Sequence, residues 1–244
     1  MVDRLYLTDS YVAQTESVVI QAENNLVQLD KTCFYPEGGG QPSDKGEVVL
    51  GDRVFSVIEV YKDDRENVYH RVTGGLPALG EKVVARINWP LRYAHMRHHT
   101  ALHIVSGSAF VLYGAKITGS RIYADRARMD LSIEDFSKEK LERIFELSNT
   151  VVNEKRRVLV KFVERQEVQS NPGLLRVDPS LYPSSEKMRI IEIEGFDAQF
   201  DGGTHVSNTE EVGSILLSKF ENKGKTNKRI ELVLGSDGVV RGPK

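Results

Sequence analysis

The hydrophobic period of this 244-residue chain changes at Asn88-Trp89-Pro90, and that change limits the folds open to it. Before it, apolar residues come in short runs separated by turn residues. Val18-Val19-Ile20, then Glu23-Asn24-Asn25, then Leu26, Val27 and Leu29 read as two strands around a tight turn. Val48-Val49-Leu50, Gly51-Asp52 and Val54 to Tyr61 read as a hairpin, and 68–72 and 83–87 add two more strands. No helical period of useful length occurs in this part. The expectation is a first domain over 1–87 built as a small barrel or sandwich, followed by a second domain over 88–244.

Beyond the change, Asn88 is a plausible helix cap and Pro90 suits a first helical turn. Met96, Leu102, Val105, Ala109 and Leu112 recur at three- and four-residue spacings up to Tyr113, and Gly114 is a natural stop. A second helix is expected from about Ser137 to Arg157, with Leu141, Ile144, Phe145, Val151 and Val152 on its apolar side. Strands at 158–163, 189–194 and 229–234 follow, the first two separated by a loop around Asn171-Pro172-Gly173. The expected class is α+β.

Hydrophobic residues make up 40% of the chain and charged residues 28%, the balance of a soluble globular protein. The first thirty residues mix charge with polarity, so neither a signal peptide nor a membrane span can be placed there. The lone cysteine, Cys33, excludes an intramolecular disulfide and fits a reducing compartment. A cytoplasmic location is expected, with no membrane attachment and no obligate protein partner. A formal charge of −2 does not advertise nucleic-acid binding, so an RNA partner would have to be met by a local patch. Lys219, Lys223, Lys225, Lys228 and Arg229 form one, interrupted by Glu221, and Lys155-Arg156-Arg157 another. Solvated lysine-rich turns have the same composition.

Three segments can carry chemistry. His99 and His103 lie four apart on the first helix, so both imidazoles leave one face and can converge on a metal, although surface histidines also occur at this spacing. Far downstream, Asp201-Gly202-Gly203-Thr204-His205 sets a carboxylate and an imidazole around a glycine turn. Together these four make a plausible ligand set. A metal there would suit hydrolysis, whereas a closed structural site would use all four ligands. The third segment, Phe34 to Asp44, holds three adjacent glycines followed by Gln41. It lacks the Gly-Lys-Ser/Thr ending of a phosphate loop and reads either as a turn or as a backbone surface for a ligand. A metalloprotease is disfavoured, because Thr100 follows His99 where that motif places its glutamate.

Taken together, FYPEGGGQPSD (34–44), NWPLRYAHMRHHTALHIV (88–105), GGTHV (202–206), EEVGSI (210–215) and NKGKTNKRI (222–230) resemble the editing domain of alanyl-tRNA synthetases. They resemble more closely the free-standing alanyl-tRNA editing proteins, AlaX, of medium length. The resemblance implies an amino-terminal β-barrel and an α+β domain shared with threonyl-tRNA synthetases. It implies a zinc-dependent hydrolase acting in trans, which clears serine, and glycine as a further candidate, from tRNA for alanine. It places zinc on His99, His103 and His205. Gln41 matches a glutamine near the substrate, and Thr32 a threonine linked to sensing the serine hydroxyl. The chain departs from the family at Asp201, which stands where a cysteine ligand is usual. A carboxylate keeps the charge of a thiolate and binds zinc at about 2.0–2.2 Å, but its hardness can favour another ion. A non-catalytic tRNA-binding protein with a structural metal is the alternative.

Overall fold

A computed structural model describes residues 2–133, 136–170, 186–224 and 227–244. The expected loop at Asn171-Pro172-Gly173 lies outside the described residues. The described chain falls into two compact units, Met1–His95 with Gly242–Lys244, and Met96–Arg241.

In the first unit, β1 (Asp3–Arg4) pairs in parallel with β4 (Lys31–Thr32). β2 (Gln14–Glu23), β3 (Leu26–Leu29), β5 (Gly46–Leu50), β6 (Arg53–Lys62), β7 (Val68–Thr73) and β8 (Lys82–Ile87) close a barrel in the order β2-β3-β7-β6-β5-β8. Period-2 alternation puts Val19, Val27, Leu29, Phe55, Val57 and Val83 inside it. Asn24 and Asn25, at φ 51° and 62°, turn β2 into β3 through the left-handed region that asparagine tolerates best after glycine. The barrel closes tightly at Gly46, where an added Cβ would lie 2.1 Å from the Arg86 carbonyl oxygen.

Helix α1 (Trp89–Tyr113) begins as expected, with the Leu91 N–H donating to Asn88 Oδ1 at 3.1 Å, and stops at Gly114, φ 64°. It is followed by β9 (Lys116–Ile122) and β10 (Ala127–Ser132), then α2 (Lys138–Asn153), β11 (Val158–Glu164), α3 (Arg165–Ser170), β12 (Lys187–Ile193), β13 (Asp197–Phe200), β14 (Ile215–Asn222) and β15 (Asn227–Leu234). The second unit holds an antiparallel sheet in the order β14-β15-β10-β9 and a smaller one, β11-β12-β13. The class is α+β, with the amino-terminal barrel followed by an α+β unit, as expected.

Two local expectations need correction. α2 ends at Asn153 rather than near Arg157, because Lys155 takes φ 53° and turns the chain toward β11. The β9–β10 hairpin was not anticipated. Ala127, Met129 and Leu131 do alternate inward, but Arg128 and Asp130 between them have low strand propensity, and Gly119 weakens the β9 pattern. Among the described residues no helix is long and apolar enough to cross a membrane.

Candidate active site

The glycine-rich segment is a tight turn. The Gly38 N–H donates to the Gln41 carbonyl at 3.1 Å and the Gln41 N–H to the Gly38 carbonyl at 2.9 Å. Gly39 and Gly40 between them take φ 57° and 84°, the two left-handed positions of a type I′ turn. Gln41, just past the turn, is fully buried. Asp44 anchors the segment: its Oδ2 accepts the Tyr35 N–H at 2.7 Å, and it forms a buried ion pair with Arg92. Arg92 also donates to the carbonyls of Ser10 at 2.9 Å and Cys33 at 2.7 Å. The arginine of NWPLRYAHM and the aspartate of FYPEGGGQPSD are thus one internal clamp of the first unit.

Thr32 is also fully buried. Its Oγ1 accepts the Phe34 N–H at 3.1 Å and lies 2.8 Å from His70 Nε2. His70 Nδ1 is 3.0 Å from the Val27 carbonyl, which can only accept, so Nδ1 carries the proton and Nε2 takes the one from Thr32. Burial pushes the His70 pKa down to about 4 against the opposing effect of the Val27 carbonyl. Because this folded value lies below the usual 6.5, the unfolded chain binds the extra proton, and stability falls as pH drops from about 6.5 toward 4. Between pH 7.5 and 4.5 the loss from this group should be about 2.5 kcal/mol. Urea unfolding of the parent and of His70→Asn, followed through the lone tryptophan Trp89 of the same unit, reads it as the difference between the two pH dependences. Equal pH dependence in the two proteins would contradict it.

In the second unit, one helical turn of α1 separates His99 from His103, and their rings lie 5.2 Å apart. Strand β13 ends at Phe200 and delivers Asp201, whose N–H donates to the Arg189 carbonyl at 3.2 Å, while Arg189 Nη1 donates to the Asp201 carbonyl at 2.8 Å. The loop then brings His205 within 4.4 Å of the His99 ring and 4.6 Å of the His103 ring, centroid to centroid. Ligand atoms of His99, His103, Asp201 and His205 all lie within 4.8 Å of one another, and the three histidines are buried. Asp201 Oδ1 is 3.4 Å from His99 Nε2 and Oδ2 is 3.0 Å from His205 Nε2. Ligands about 2.1 Å from a tetrahedral ion stand about 3.4 Å apart, so these spacings fit one ion.

Protonation fits as well. Burial works to raise the Asp201 pKa, but the attraction of His99 and hydrogen bonds from His205 and His99 outweigh it and hold the carboxyl well below its usual range. Burial, then the charge of His99, pushes His205 down to about 4. An ionised carboxylate and a neutral imidazole are the forms that bind a metal. Thr100, which the sequence does not mark as part of the site, supports His205: its Oγ1 lies 3.1 Å from His205 Nδ1 and accepts the Val206 N–H at 3.2 Å. When Nε2 serves as ligand, Nδ1–H donates to Thr100, the orienting bond that metal-bound histidines usually make. No sequence spacing marks Thr100 or Arg189 for this work. EEVGSI is scaffold: Glu211 accepts the N–H groups of Ser207 and Asn208 at 3.1 and 3.0 Å, and Arg97 Nη2 donates to the carbonyls of Val212 and Gly235, both at 2.8 Å.

The lysine segment is largely engaged within the chain. Lys219 and Lys223 flank Glu221 at 2.6 and 2.7 Å and, through these hydrogen bonds, draw its pKa down to about 2. Arg229 donates twice to Asp130 at 2.7 Å, and buried Lys228 donates to Asn222 Oδ1 at 2.9 Å. Lys225 lies outside the described residues. In the second basic run, Lys155 pairs with Glu210 at 3.4 Å, Arg156 with Glu154 at 2.6 Å, and Arg157 is exposed.

A model of the Threonyl and Alanyl tRNA synthetase second additional domain matches residues 188–231, and one of tRNA synthetases class II (A) matches residues 7–91. The alanyl-tRNA editing protein AlaX-M of Saccharolobus solfataricus is 40% identical over 233 residues, 94% of this chain and 98% of that protein. Its namesake in Methanosarcina barkeri is 36% identical over 96% of this chain and 99% of its own length. The alanine–tRNA ligase of Ignicoccus hospitalis is 35% identical over 96% of this chain, which spans 26% of the ligase. At these identities and coverages, the chain belongs to the family of alanyl-tRNA editing proteins of the AlaX-M type.

Proposed function

We propose that this protein hydrolyses the ester of mischarged tRNA for alanine in trans, releasing serine and, more slowly, glycine. The observation that carries the reading is the convergence of His99, His103, Asp201 and His205 on one point, in a chain whose relatives of equal length are named alanyl-tRNA editing proteins. These four residues would hold one ion, zinc, bound through a harder donor at Asp201 than the thiolate usual in the family. When bound, such an ion supplies Lewis-acid chemistry, polarising the ester carbonyl or acidifying water. Around it, Thr100 holds the His205 ring, Arg189 holds the Asp201 main-chain carbonyl at 2.8 Å, and the Gly203 N–H, 2.6 Å from Asp201 Oδ2, holds the carboxylate.

Selection of the amino acid is assigned to Thr32 and Gln41. With its proton committed to His70 and one lone pair to the Phe34 N–H, Thr32 Oγ1 keeps one lone pair to accept a serine hydroxyl proton. A site that pairs with a hydroxyl discriminates strongly against analogues lacking it. Alanine and glycine both lack the hydroxyl, so alanine is spared and glycine is released more slowly than serine.

The test is to mix purified protein with tRNA carrying serine, glycine or alanine and follow ester loss. Serine should be released fastest and alanine should remain. Equal rates on serine and alanine, or none on any, would overturn the reading. In Thr32→Val, serine release should fall several-fold more than glycine release, since such a hydrogen bond is worth about 0.5–1.5 kcal/mol. An equal fall for both would make Thr32 a packing residue.

A further inference from the structure

Strand β14 ends the second unit's four-stranded sheet, and among the described residues no strand pairs with its outer edge. Its first residue is covered. Asn149 of α2 accepts the Ile215 N–H at 2.8 Å and donates to the Ile215 carbonyl at 2.9 Å, as a neighbouring strand would. Beyond Ile215 the edge is open. Ile215 and Leu217 present their main-chain groups outward, and the bulge between Leu217 and Lys219 shifts the alternation by one, so that Phe220 and Asn222 follow. The inward bond from the Lys223 N–H to the Asn227 carbonyl, 3.0 Å, fits that alternation.

An unpaired edge is commonly blunted by charge, yet this one carries apolar side chains. Leu216 is 50% exposed, Leu217 43% and Phe220 36%. Phe220 stacks on Phe136 with ring centroids 4.6 Å apart and planes 6° apart, and both rings stay partly exposed. Leu141 and Phe145 of α2 line an open apolar groove with Ile215 and Leu217, rimmed by Glu142 and Glu146. The open stretch of the strand holds two charges of opposite sign, Lys219 and Glu221.

Those two charges select a partner. In an antiparallel pairing of β14 with itself about Phe220, Lys219 stands opposite Glu221 of the second copy, and Glu221 opposite its Lys219. Centred on Lys219 or on Glu221, the pairing would set like charges together; centred on Ser218, it would match none. Phe220 points its main-chain groups outward, so at the centre it exchanges both bonds with its copy. Two Phe136–Phe220 stacks are then brought side by side. The same register carries Lys223 of each copy to Leu217 of the other, beside the acidic rim of the groove. A two-fold contact of this kind uses one patch twice and closes on itself.

We propose that β14 pairs with β14 of a second copy of this chain, joining two four-stranded sheets into one of eight. Association needs no substrate, so it stands apart from the reading of this protein as one that acts on tRNA.

The test is the mass of the full chain by analytical ultracentrifugation from micromolar to millimolar concentration, with melting temperature as the check on fold. The parent should show a monomer–dimer equilibrium. Lys219→Glu and Glu221→Lys each set like charges in both cross-strand pairs, and each should weaken the dimer about tenfold or more. An equimolar mixture of the two variants restores opposite charges in both pairs and should associate as the parent does. The double variant, with the charges exchanged, should do the same. Both side chains lie on the sheet's outer face, so neither single variant should melt far below the parent. A parent that is monomeric throughout overturns the proposal and leaves Lys219 as a guard against strand addition. A dimer indifferent to the single reversals, or a mixture that associates no better than either variant alone, overturns it equally.

Discussion

Asp201→Ala should lose bound metal and ester hydrolysis together. Partners that merely orient a ligand are worth about 10–100-fold in metal affinity, so removing a ligand should cost more than about 100-fold in either quantity. The structure adds a second consequence. Asp201 Oδ2 accepts the Gly203 N–H at 2.6 Å and stands 3.0 Å from His205, so alanine also loosens the loop that carries His205. Asp201→Cys separates the two effects. It restores the negative charge with a softer donor and should retain zinc against a chelator at least as well as the parent, although cysteine cannot reproduce both carboxylate contacts. Elemental analysis of the three proteins, with hydrolysis measured in parallel, decides it. Metal content and activity in Asp201→Ala equal to those of the parent would remove Asp201 from the ligand set and leave three histidines to hold the ion.

The largest expected effect on stability belongs to Asp44→Ala. Arg92 is fully buried and sits against both carboxylate oxygens of Asp44, so the variant strands a guanidinium away from water. Losing one partner of such a pair costs about 3–5 kcal/mol, because the remaining charge stays desolvated. It also removes the acceptor of the Tyr35 N–H and so frees one end of the Gly39-Gly40 turn. Adding Arg92→Met to Asp44→Ala should recover part of the loss, since a buried ion pair replaced by apolar groups is often neutral. Urea unfolding followed through Trp89, which packs against the barrel core and belongs to the same unit, reports the cycle. A single-variant loss below about 1 kcal/mol would show that Arg92 finds water or another acceptor.

Much of the barrel was legible because its rules are local. A buried strand face needs an apolar residue at every second position, and two-residue turns need residues that accept positive φ, so 18–29 and 48–61 announce themselves. Helix α1 was equally plain, since Asn88, Pro90 and Gly114 each act within a turn of their own position. The β9–β10 hairpin was obscured because outward strand positions obey no pattern. Arg128 and Asp130 are set by what the sheet's outer face does, and propensity reads them against a strand. The end of α2 was missed because Lys155 adopts φ 53° without being a glycine or an asparagine, and nothing in its neighbours signals that.

The candidate site divides the same way. Sequence alone determined that His99 and His103 share a helix face, that glycines let Asp201 and His205 fold back upon each other, and that the three glycines of 34–44 permit a tight turn. Each follows from the geometry of a few consecutive residues. Only the tertiary structure decided that the two histidine segments, nearly a hundred residues apart, meet with all their ligand atoms within 4.8 Å. It also decided that Thr100 and Arg189 hold the set in place, that Thr32 shares its proton with His70, and that Phe220 stacks on Phe136 at the β14 edge. These are matters of register and packing between distant segments. A side chain's partner across a sheet or under a loop is chosen by the whole fold's burial of apolar surface, which no local window of sequence contains.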